Sequence, residues 1–205
     1  MNVLDILSGQ WTLLLAFIVI FISAFLTGEI VCRIKQEKAL KWGEKLDKGR
    51  KVHIKLIYNN MKKSYGIFRV ILIIFATNLI GGALFWSSIG GTLIIFPFLH
   101  YIIIGFLVSL TLKTYPERMN WLTIPNLFFE VAAFMFAAIG GIKIGLSIFT
   151  RGDIYLAIRE WSMLFIVIVI PLQLIAAIFE GFLFRKIHII EKHPWPHGIS
   201  EEGNE

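Results

Sequence analysis

The chain has 205 residues, of which 57% are hydrophobic and 17% charged, and its mean hydropathy is +0.74. Soluble globular domains are about 45–50% apolar, so a water-soluble fold is excluded. The single cysteine, Cys32, excludes an internal disulfide framework and a cysteine-rich zinc site. A net charge of +6 is also typical of proteins that bind nucleic acid. The Lys and Arg residues are, however, distributed along the chain as in a membrane protein, and we expect no nucleic-acid partner.

Five apolar segments are long enough to cross a hydrocarbon core of about 30 Å, which takes about 20 helical residues. Backbone polar groups in lipid must be paired inside the protein, which helices achieve segment by segment and isolated strands cannot. The short alternating segments of a transmembrane barrel do not occur. The sequence therefore predicts an all-α, polytopic transmembrane helical bundle of about five spans in one domain. The predicted spans are residues 11–32, 67–85, 92–112, 124–149 and 161–184.

The Lys and Arg residues lie almost entirely on one side of the predicted spans, which we call the basic side. Its links, the start of the second span and the tail 185–205 carry seventeen of the twenty, and eleven of these are in the link 33–66. The opposite side has Arg151 and Arg159, and Lys143 falls within the fourth span. Because the Lys/Arg-rich side of a membrane protein is cytoplasmic, we expect the N-terminus outside and the C-terminus in the cytoplasm, in the cell membrane. The N-terminal ten residues contain no Lys or Arg, which argues against a cleaved signal peptide.

The basic link 33–66 is also a candidate lipid-binding surface. Four of its apolar residues recur at helical spacing among lysines, as in an amphipathic helix on an anionic leaflet. These residues are Ile54, Ile57, Tyr58 and Met61. The alternative is that the link is an orientation signal with a solvated face. Besides the bilayer itself, anionic lipid headgroups are thus candidate partners.

Several polar side chains fall within the predicted spans, where an ionised group costs at least about 2.5–3.5 kcal/mol near the bilayer centre. The directions of the spans place three carboxylates in the third of the membrane nearest the basic side, with two amides as further candidates. This candidate polar cluster consists of Glu29, Glu130, Glu180, Asn78 and Asn126. It could hold a cation or a proton, or contact a partner. Alternatively, each carboxylate reaches the nearby interface or pairs with a basic residue such as Arg69 or Arg185.

Lys143 and His100 lie in the half of the membrane away from the basic side. We interpret Lys143 as extending outward to the interface and His100 as a buried histidine with one hydrogen bond. No His, Asp or Glu grouping has metal-ligand spacing, and no Ser or Cys lies in a nucleophile motif. We therefore expect no catalytic residue, metal or cofactor. An intramembrane enzyme that acts on lipid through His100 and an acid is the least favoured alternative.

Small residues recur at every fourth position of the fourth span. Residues four apart share a helix face, so this stripe forms a smooth groove that permits close helix packing. The stripe consists of Ala133, Ala137, Gly141 and Gly145. Two prolines complete the packing candidates. Pro125 begins the fourth span, where proline is tolerated, and Pro171 removes a backbone hydrogen bond and kinks the fifth.

Three segments form a recognisable set: the run IFATNL at residues 74–79 with the double glycine after it, the block IPNLFFE at 124–130, and the run PLQLIAAIFEG at 171–181. Together they resemble stage II sporulation protein M-like integral membrane proteins. The resemblance covers about residues 67–184. It implies that Pro125 and Glu130 occupy family positions. The family's Pro-His-Gly is Pro125-Asn126-Leu127 here, so no role of that histidine carries over.

The resemblance implies a non-enzymatic multi-pass membrane component, since the namesake organises the membrane together with cell-wall hydrolases during engulfment of the forespore. We therefore expect a scaffold that assembles with a membrane-protein partner, or with copies of itself, through the groove of the fourth span and the basic link. The alternative is a transporter, channel or lipid-moving domain that uses the intramembrane glutamates, because kinked helices are also typical of transporters.

Overall fold

The computed structural model describes residues 8–35, 37–39, 41–42, 45, 59–60, 66–114 and 121–190. Within these residues every regular element is helical. The elements are α1 (Trp11–Ile34), α2 (Gly66–Ala76), the π-helix π1 (Thr77–Ile89), α3 (Ile95–Thr114), α4 (Thr123–Phe149), α5 (Ile154–Leu164), the π-helix π2 (Phe165–Val169) and α6 (Ile170–Ile190). Helix α2 continues directly into π1, and α5 continues through π2 into α6.

Five continuous helical stretches in the described part are long and apolar enough to cross a membrane. We number them span 1 (α1), span 2 (α2 and π1), span 3 (α3), span 4 (α4) and span 5 (α5, π2 and α6). The predicted all-α membrane bundle is confirmed. The sequence stretch 46–58, which holds part of the predicted amphipathic pattern of the basic link, lies outside the described residues, as do Met61 and the end of the tail from residue 191.

The turn between spans 2 and 3 lies later in the chain than the sequence predicts. Residues 86–91, which are rich in Gly and Ser, are still helical, and the chain reverses at Thr92–Ile94. The Ser88 hydroxyl donates to the Ala83 carbonyl at 2.9 Å, five residues earlier, which suits the wide turns of a π-helix. The reversal is tight enough to hold Ile94 at a φ of 56°, a region that branched residues rarely adopt.

Span 5 begins earlier than predicted, because the expected polar link 150–160 contains the first turns of α5. The Asp153 side chain accepts a hydrogen bond from the Leu156 backbone N–H at 2.9 Å, which is a standard helix N-cap. Span 5 also extends past the predicted end at residue 184, and α6 reaches Ile190.

At Pro171, where the sequence predicts a kink, the helix changes from π-helical to α-helical winding. Proline has no N–H, and its ring crowds the carbonyl four residues earlier, which is that of Val167. The segment immediately before Pro171 winds as the π-helix Phe165–Val169, which accommodates the displaced carbonyl. Pro125 lies in the first turn of α4, where its missing N–H would have had no helical partner.

Span 4 forms the centre of the bundle and is the most buried of the five. It packs against π1 of span 2 and against both halves of span 5, and spans 2 and 5 also touch each other. Spans 1 and 3 pair with each other. The bundle therefore consists of a three-helix unit, spans 2, 4 and 5, and a two-helix unit, spans 1 and 3.

The two units join in the half of the bundle away from the basic side. The Phe17 ring of span 1 lies with its centroid 4.9 Å from Phe98 and 4.7 Å from Tyr101, both of span 3. Phe17 and Tyr101 belong to the same buried cluster as Ala138 and Ile142 of span 4. Apolar packing around Phe17 and Tyr101 thus attaches the two-helix unit to the central helix.

The small-residue stripe of span 4 packs inside the chain. A methyl group added at Gly91 of the turn region would lie 2.9 Å from the Ala138 carbonyl oxygen and 3.0 Å from the Gly141 Cα. One added at Gly141 would collide with the Ser88 carbonyl, and Gly145 lies similarly close to Thr92. The other two members of the stripe, Ala133 and Ala137, are fully buried. The groove that the sequence assigned to a partner is therefore buried within the chain, and its Gly141–Gly145 end is filled by the end of span 2 and the turn that follows.

We expect Gly141→Ala to lower the free energy of unfolding by about 1–3 kcal/mol, because the added methyl overpacks the contact between spans 4 and 2. The matched control is Gly81→Ala, since a Cβ at Gly81 meets nothing within 4 Å. That substitution should be neutral, or stabilising by up to about 1 kcal/mol through reduced chain entropy. Reversible unfolding of both variants in detergent measures the difference. Equal costs would contradict the close contact.

Candidate functional site

The structure divides the predicted polar cluster between the two units. Asn78, Asn126, Glu130 and Glu180 belong to the three-helix unit, whereas Glu29 belongs to the two-helix unit. The Asn78 amide nitrogen donates to the Glu130 carboxylate at 3.3 Å, which links span 2 to span 4. The cluster thus has an interhelical polar contact at its centre.

Glu29 forms an ionic contact between spans 1 and 3. Its carboxylate lies 2.9 Å from Lys113 Nζ and 3.3 Å from Arg33 Nη2. Arg33 is one turn further along α1, and Lys113 is at the end of α3. Charge-assisted hydrogen bonds of this kind are stronger than neutral ones. The contact holds the basic ends of the two helices together.

The register of spans 4 and 5 places Glu130 and Glu180 near each other in depth. The Phe129 ring stacks on the Phe179 ring with a centroid distance of 5.9 Å. Glu130 and Glu180 are the next residues along their respective helices, so both carboxylates lie close to that level of the membrane. Both side chains are partly buried and take part in interactions.

A buried glutamine adds to this region. Span 5 runs antiparallel to span 2, with Gly181 against Ile71 and Ala177 in one buried cluster with Ile74. Gln173 lies one turn before Ala177 on the same face of α6, so it reaches the level of Asn78. It is 0% exposed, and neither its amide oxygen nor its amide nitrogen has a hydrogen-bond partner in the described part of the chain.

Asn126 is a second buried amide with unused hydrogen-bonding capacity. It lies one turn before Glu130 on α4 and is 9% exposed, and its Oδ1 has no partner among the described residues. An unsatisfied buried polar group costs about 1–3 kcal/mol, and buried polar groups of this kind commonly bind ordered water. We call Asn78, Asn126, Glu130, Gln173 and Glu180 the amide–glutamate cluster.

The site predicted from the sequence does not include Gln173, because ionisable side chains were the main criterion. The feature that could have identified it is its position, an amide two residues after Pro171 in the middle of an otherwise apolar span. In lipid even an uncharged amide needs a hydrogen-bond partner, so its position alone marked it as a candidate.

Lys143 pairs with a residue of the neighbouring helix and does not extend to the interface as the sequence suggested. Its Nζ lies 2.6 Å from Glu160 Oε2, with both side chains largely buried. Because α5 begins at Ile154, Glu160 is in a helix and not in the expected link. Nearby, Trp161 Nε1 donates to the Ser88 hydroxyl at 3.0 Å. These two contacts join span 5 to spans 4 and 2.

His100 contacts aromatic rings. It is half-buried and stacks on Trp86 and Phe96, with centroid distances of 6.1 and 5.9 Å, and meets Tyr101 edge-on. Rings at this end of spans 2 and 3 resemble the aromatic belt of membrane interfaces. In the described ranges, no group of three or more His, Cys, Asp or Glu residues is arranged to hold a metal ion.

The five apolar helices and the polar contacts inside them define a multi-pass helical membrane protein. The family model described as "Stage II sporulation protein M" matches residues 11–183, and the chain belongs to this family. The match confirms the resemblance found at residues 67–184 and extends it through span 1 and the basic link. A search of curated proteins and a search of solved structures each found no match.

We expect Lys143→Met and Glu160→Met each to destabilise the bundle by more than the roughly 0–1 kcal/mol of an exposed ion pair, because each leaves a largely buried charge without its partner. The double variant should be more stable than either single variant. Arg159→Met, on the exposed face of the same helix, is the control and should be nearly neutral. A double-mutant cycle of unfolding free energies measures the coupling. Additive costs would show that the two charges do not interact.

Proposed function

We propose that this protein is a structural component of a membrane complex in the cell membrane and that it positions partner proteins without catalysing a reaction. The supporting observation is that charged side chains of the spans join neighbouring helices. Glu29 and Lys113 connect spans 1 and 3 at 2.9 Å, and Lys143 and Glu160 connect spans 4 and 5 at 2.6 Å. A carrier needs charged groups that face an aqueous path. Charges bound across helix contacts instead stabilise one arrangement of the bundle, which suits a scaffold.

Membership in the stage II sporulation protein M family supports the same proposal. The family resemblance implies a membrane organiser that works with other proteins. Transferred to this chain, it predicts a membrane-embedded partner, or copies of the chain itself, and no chemical step.

The partner contact we propose lies on a lipid-facing side of the bundle. The groove of span 4 is buried within the chain, with the Gly141 Cα 3.0 Å from a methyl placed on Gly91, so a second protein has no room there. Span 1 offers a long uncovered apolar face on which large side chains follow one another at helical spacing. This face carries Leu15, Val19, Ile22, Leu26 and Ile30.

Photo-crosslinking in native membranes tests the scaffold proposal. A photoreactive phenylalanine analogue is placed singly at Leu26 of span 1, Phe128 of span 4 or Ile166 of span 5, all exposed in the chain. We expect one position to give a protein adduct that co-purifies in a fixed ratio, with the other two labelling lipid and serving as internal controls. Adducts with lipid alone, or with the chain itself alone, at all three positions would overturn a scaffold for other proteins.

A second candidate function, transport of a small cation or proton, is favoured by the amide–glutamate cluster. The buried amide of Gln173 and the buried amide oxygen of Asn126 have no partner in the described chain, and both lie within one turn in depth of Glu130. Oxygen-rich sites near the membrane midplane, beside interrupted helices, are where transporters bind coupling ions.

We expect transport, if it is the function, to depend on the carboxylates of this cluster. Proteoliposomes with the chain are tested for H⁺, Na⁺ and K⁺ flux with fluorescent indicators. The double substitution Glu130→Gln with Glu180→Gln should abolish flux, and Glu29→Gln, in the other unit, should retain it. Flux that persists unchanged in the double variant would remove this mechanism. A circular dichroism spectrum equal to that of the parent protein shows that the variant is folded.

A further inference from the structure

The chain that follows span 1 packs against the basic end of span 3. Helix α1 ends at Ile34, its C-cap Lys35 has φ and ψ of −128° and 52°, and helical residues resume at 37–39 and 41–42. Ala39 is 4% exposed and packs with Cys32 and Leu110. The Trp42 ring centroid lies 6.4 Å from that of Phe106. We call the described residues from 35 to 45 the juxtamembrane segment.

The juxtamembrane segment exposes lysines next to this tryptophan. Lys38, Lys41 and Lys45 are exposed and follow one another at spacings of three and four, which puts them on one helix face. Trp42 is 47% exposed and lies between that face and the buried Ala39. Tryptophan in this setting is typical of the membrane–water interface. The link 33–66 as a whole has eleven Lys and Arg against three acidic residues, so the surface is strongly positive.

An apolar furrow begins on the membrane side of Phe106. It is an open groove of about 320 Å³ between spans 1 and 3 and is lined by Ala24, Thr27, Ile102, Ile103, Phe106 and Leu107. The furrow's one hydroxyl, that of Thr27, already donates to the Ser23 carbonyl at 2.8 Å. The lining therefore offers hydrocarbon contacts, and a lipid chain is the ligand that fits it.

Small residues bring spans 1 and 3 together beside this furrow. A methyl group at Gly105 would lie 2.6 Å from the Phe21 carbonyl oxygen and 3.0 Å from the Ala24 Cβ, so the two backbones nearly touch there. Ala24 belongs both to this contact and to the lining of the furrow, so the furrow lies directly beside the closest approach of spans 1 and 3.

We propose that the furrow and the juxtamembrane segment together bind one anionic phospholipid from the leaflet on the basic side. One lipid chain lies in the furrow, and the phosphate lies at Lys38 and Lys41. Both lysines are within about one helical turn, 5.4 Å along the axis, of Trp42, and Trp42 is adjacent to Phe106 at the furrow's end. Arg33 and Lys113 lie nearby but bind Glu29. A free phosphate ion would use only the lysines, so the furrow selects the lipid.

Native mass spectrometry and thermal unfolding of the full chain in neutral detergent test the site, with phosphatidylglycerol and phosphatidylcholine as probes. Each lysine near an anionic headgroup contributes about 1 kcal/mol. The parent protein should therefore bind one phosphatidylglycerol, and Lys38→Gln with Lys41→Gln should weaken that binding by about thirtyfold. The matched control, Arg151→Gln with Arg159→Gln, removes two charges from the opposite side and should retain the parent affinity.

A variant that fills the furrow distinguishes a lipid bound in the furrow from a lipid that is attracted only by the lysine charges. Thr27 is exposed, so Thr27→Phe fills the furrow from its rim without entering the core. It should abolish the one-to-one complex and the accompanying rise in melting temperature while every lysine remains. Unchanged phosphatidylglycerol binding in Thr27→Phe, equal binding of the two lipids by the parent protein, or equal losses in the lysine variant and its arginine control would each overturn the proposal. The site lies on the two-helix unit and does not depend on the proposed function.

Discussion

The backbone contact between spans 2 and 4 determines much of the bundle. Lipid tails are as apolar as leucine side chains, so helices in a membrane associate through close packing and polar contacts and not through hydrophobic burial. Gly141 and Gly91 provide that packing by bringing the two backbones together. The contact also fixes Ser88, whose hydroxyl accepts the Trp161 N–H at 3.0 Å, and it thereby sets the position of α5. The Lys143–Glu160 pair then forms between the helices that this contact has aligned.

Buried polar groups of the three-helix unit differ in how fully they are hydrogen-bonded. In the half away from the basic side, Lys143, Glu160, Trp161 and Ser88 have partners at 2.6–3.0 Å, whereas the buried Ser87 hydroxyl has no partner in the described chain. In the half near the basic side, both amide atoms of Gln173 and the amide oxygen of Asn126 have no partner in the described chain. Such groups reduce stability, and natural proteins depart from full polar satisfaction mainly at functional sites. The amide–glutamate cluster is therefore where a bound water or ion, and any transport activity, would be found.

The sequence predicts the number and type of the spans well, because lipid imposes one dominant requirement, about twenty apolar residues in helical form. It predicts their ends less well. The Gly and Ser residues at 86–91 favour a turn in water, yet here they are helical and allow two helices to touch. Asp153 caps the start of a helix inside a segment that the sequence predicts to be a link. The partner of Glu29 could not be predicted, since Lys113 lies 84 positions away and only the pairing of spans 1 and 3 brings it to 2.9 Å. The stripe on span 4 is visible in sequence, but which helix fills it depends on the fold.

Spans 1 and 3 of the two-helix unit are joined to each other along their length, whereas the unit contacts the rest of the protein over a smaller region. Spans 1 and 3 are joined at their basic ends by Glu29 and along their length by the Gly105 contact, so they behave as one pair. The buried apolar cluster that contains Phe17 and Tyr101 attaches this pair to span 4 in the opposite half of the bundle. The furrow and the lysines are both on this pair, and so is the uncovered apolar face of span 1. Because a lipid in the furrow would occupy the surface beside that face, lipid and a protein partner would meet on the same unit. Lipid composition would then influence assembly through direct contact, without any rearrangement of the three-helix unit.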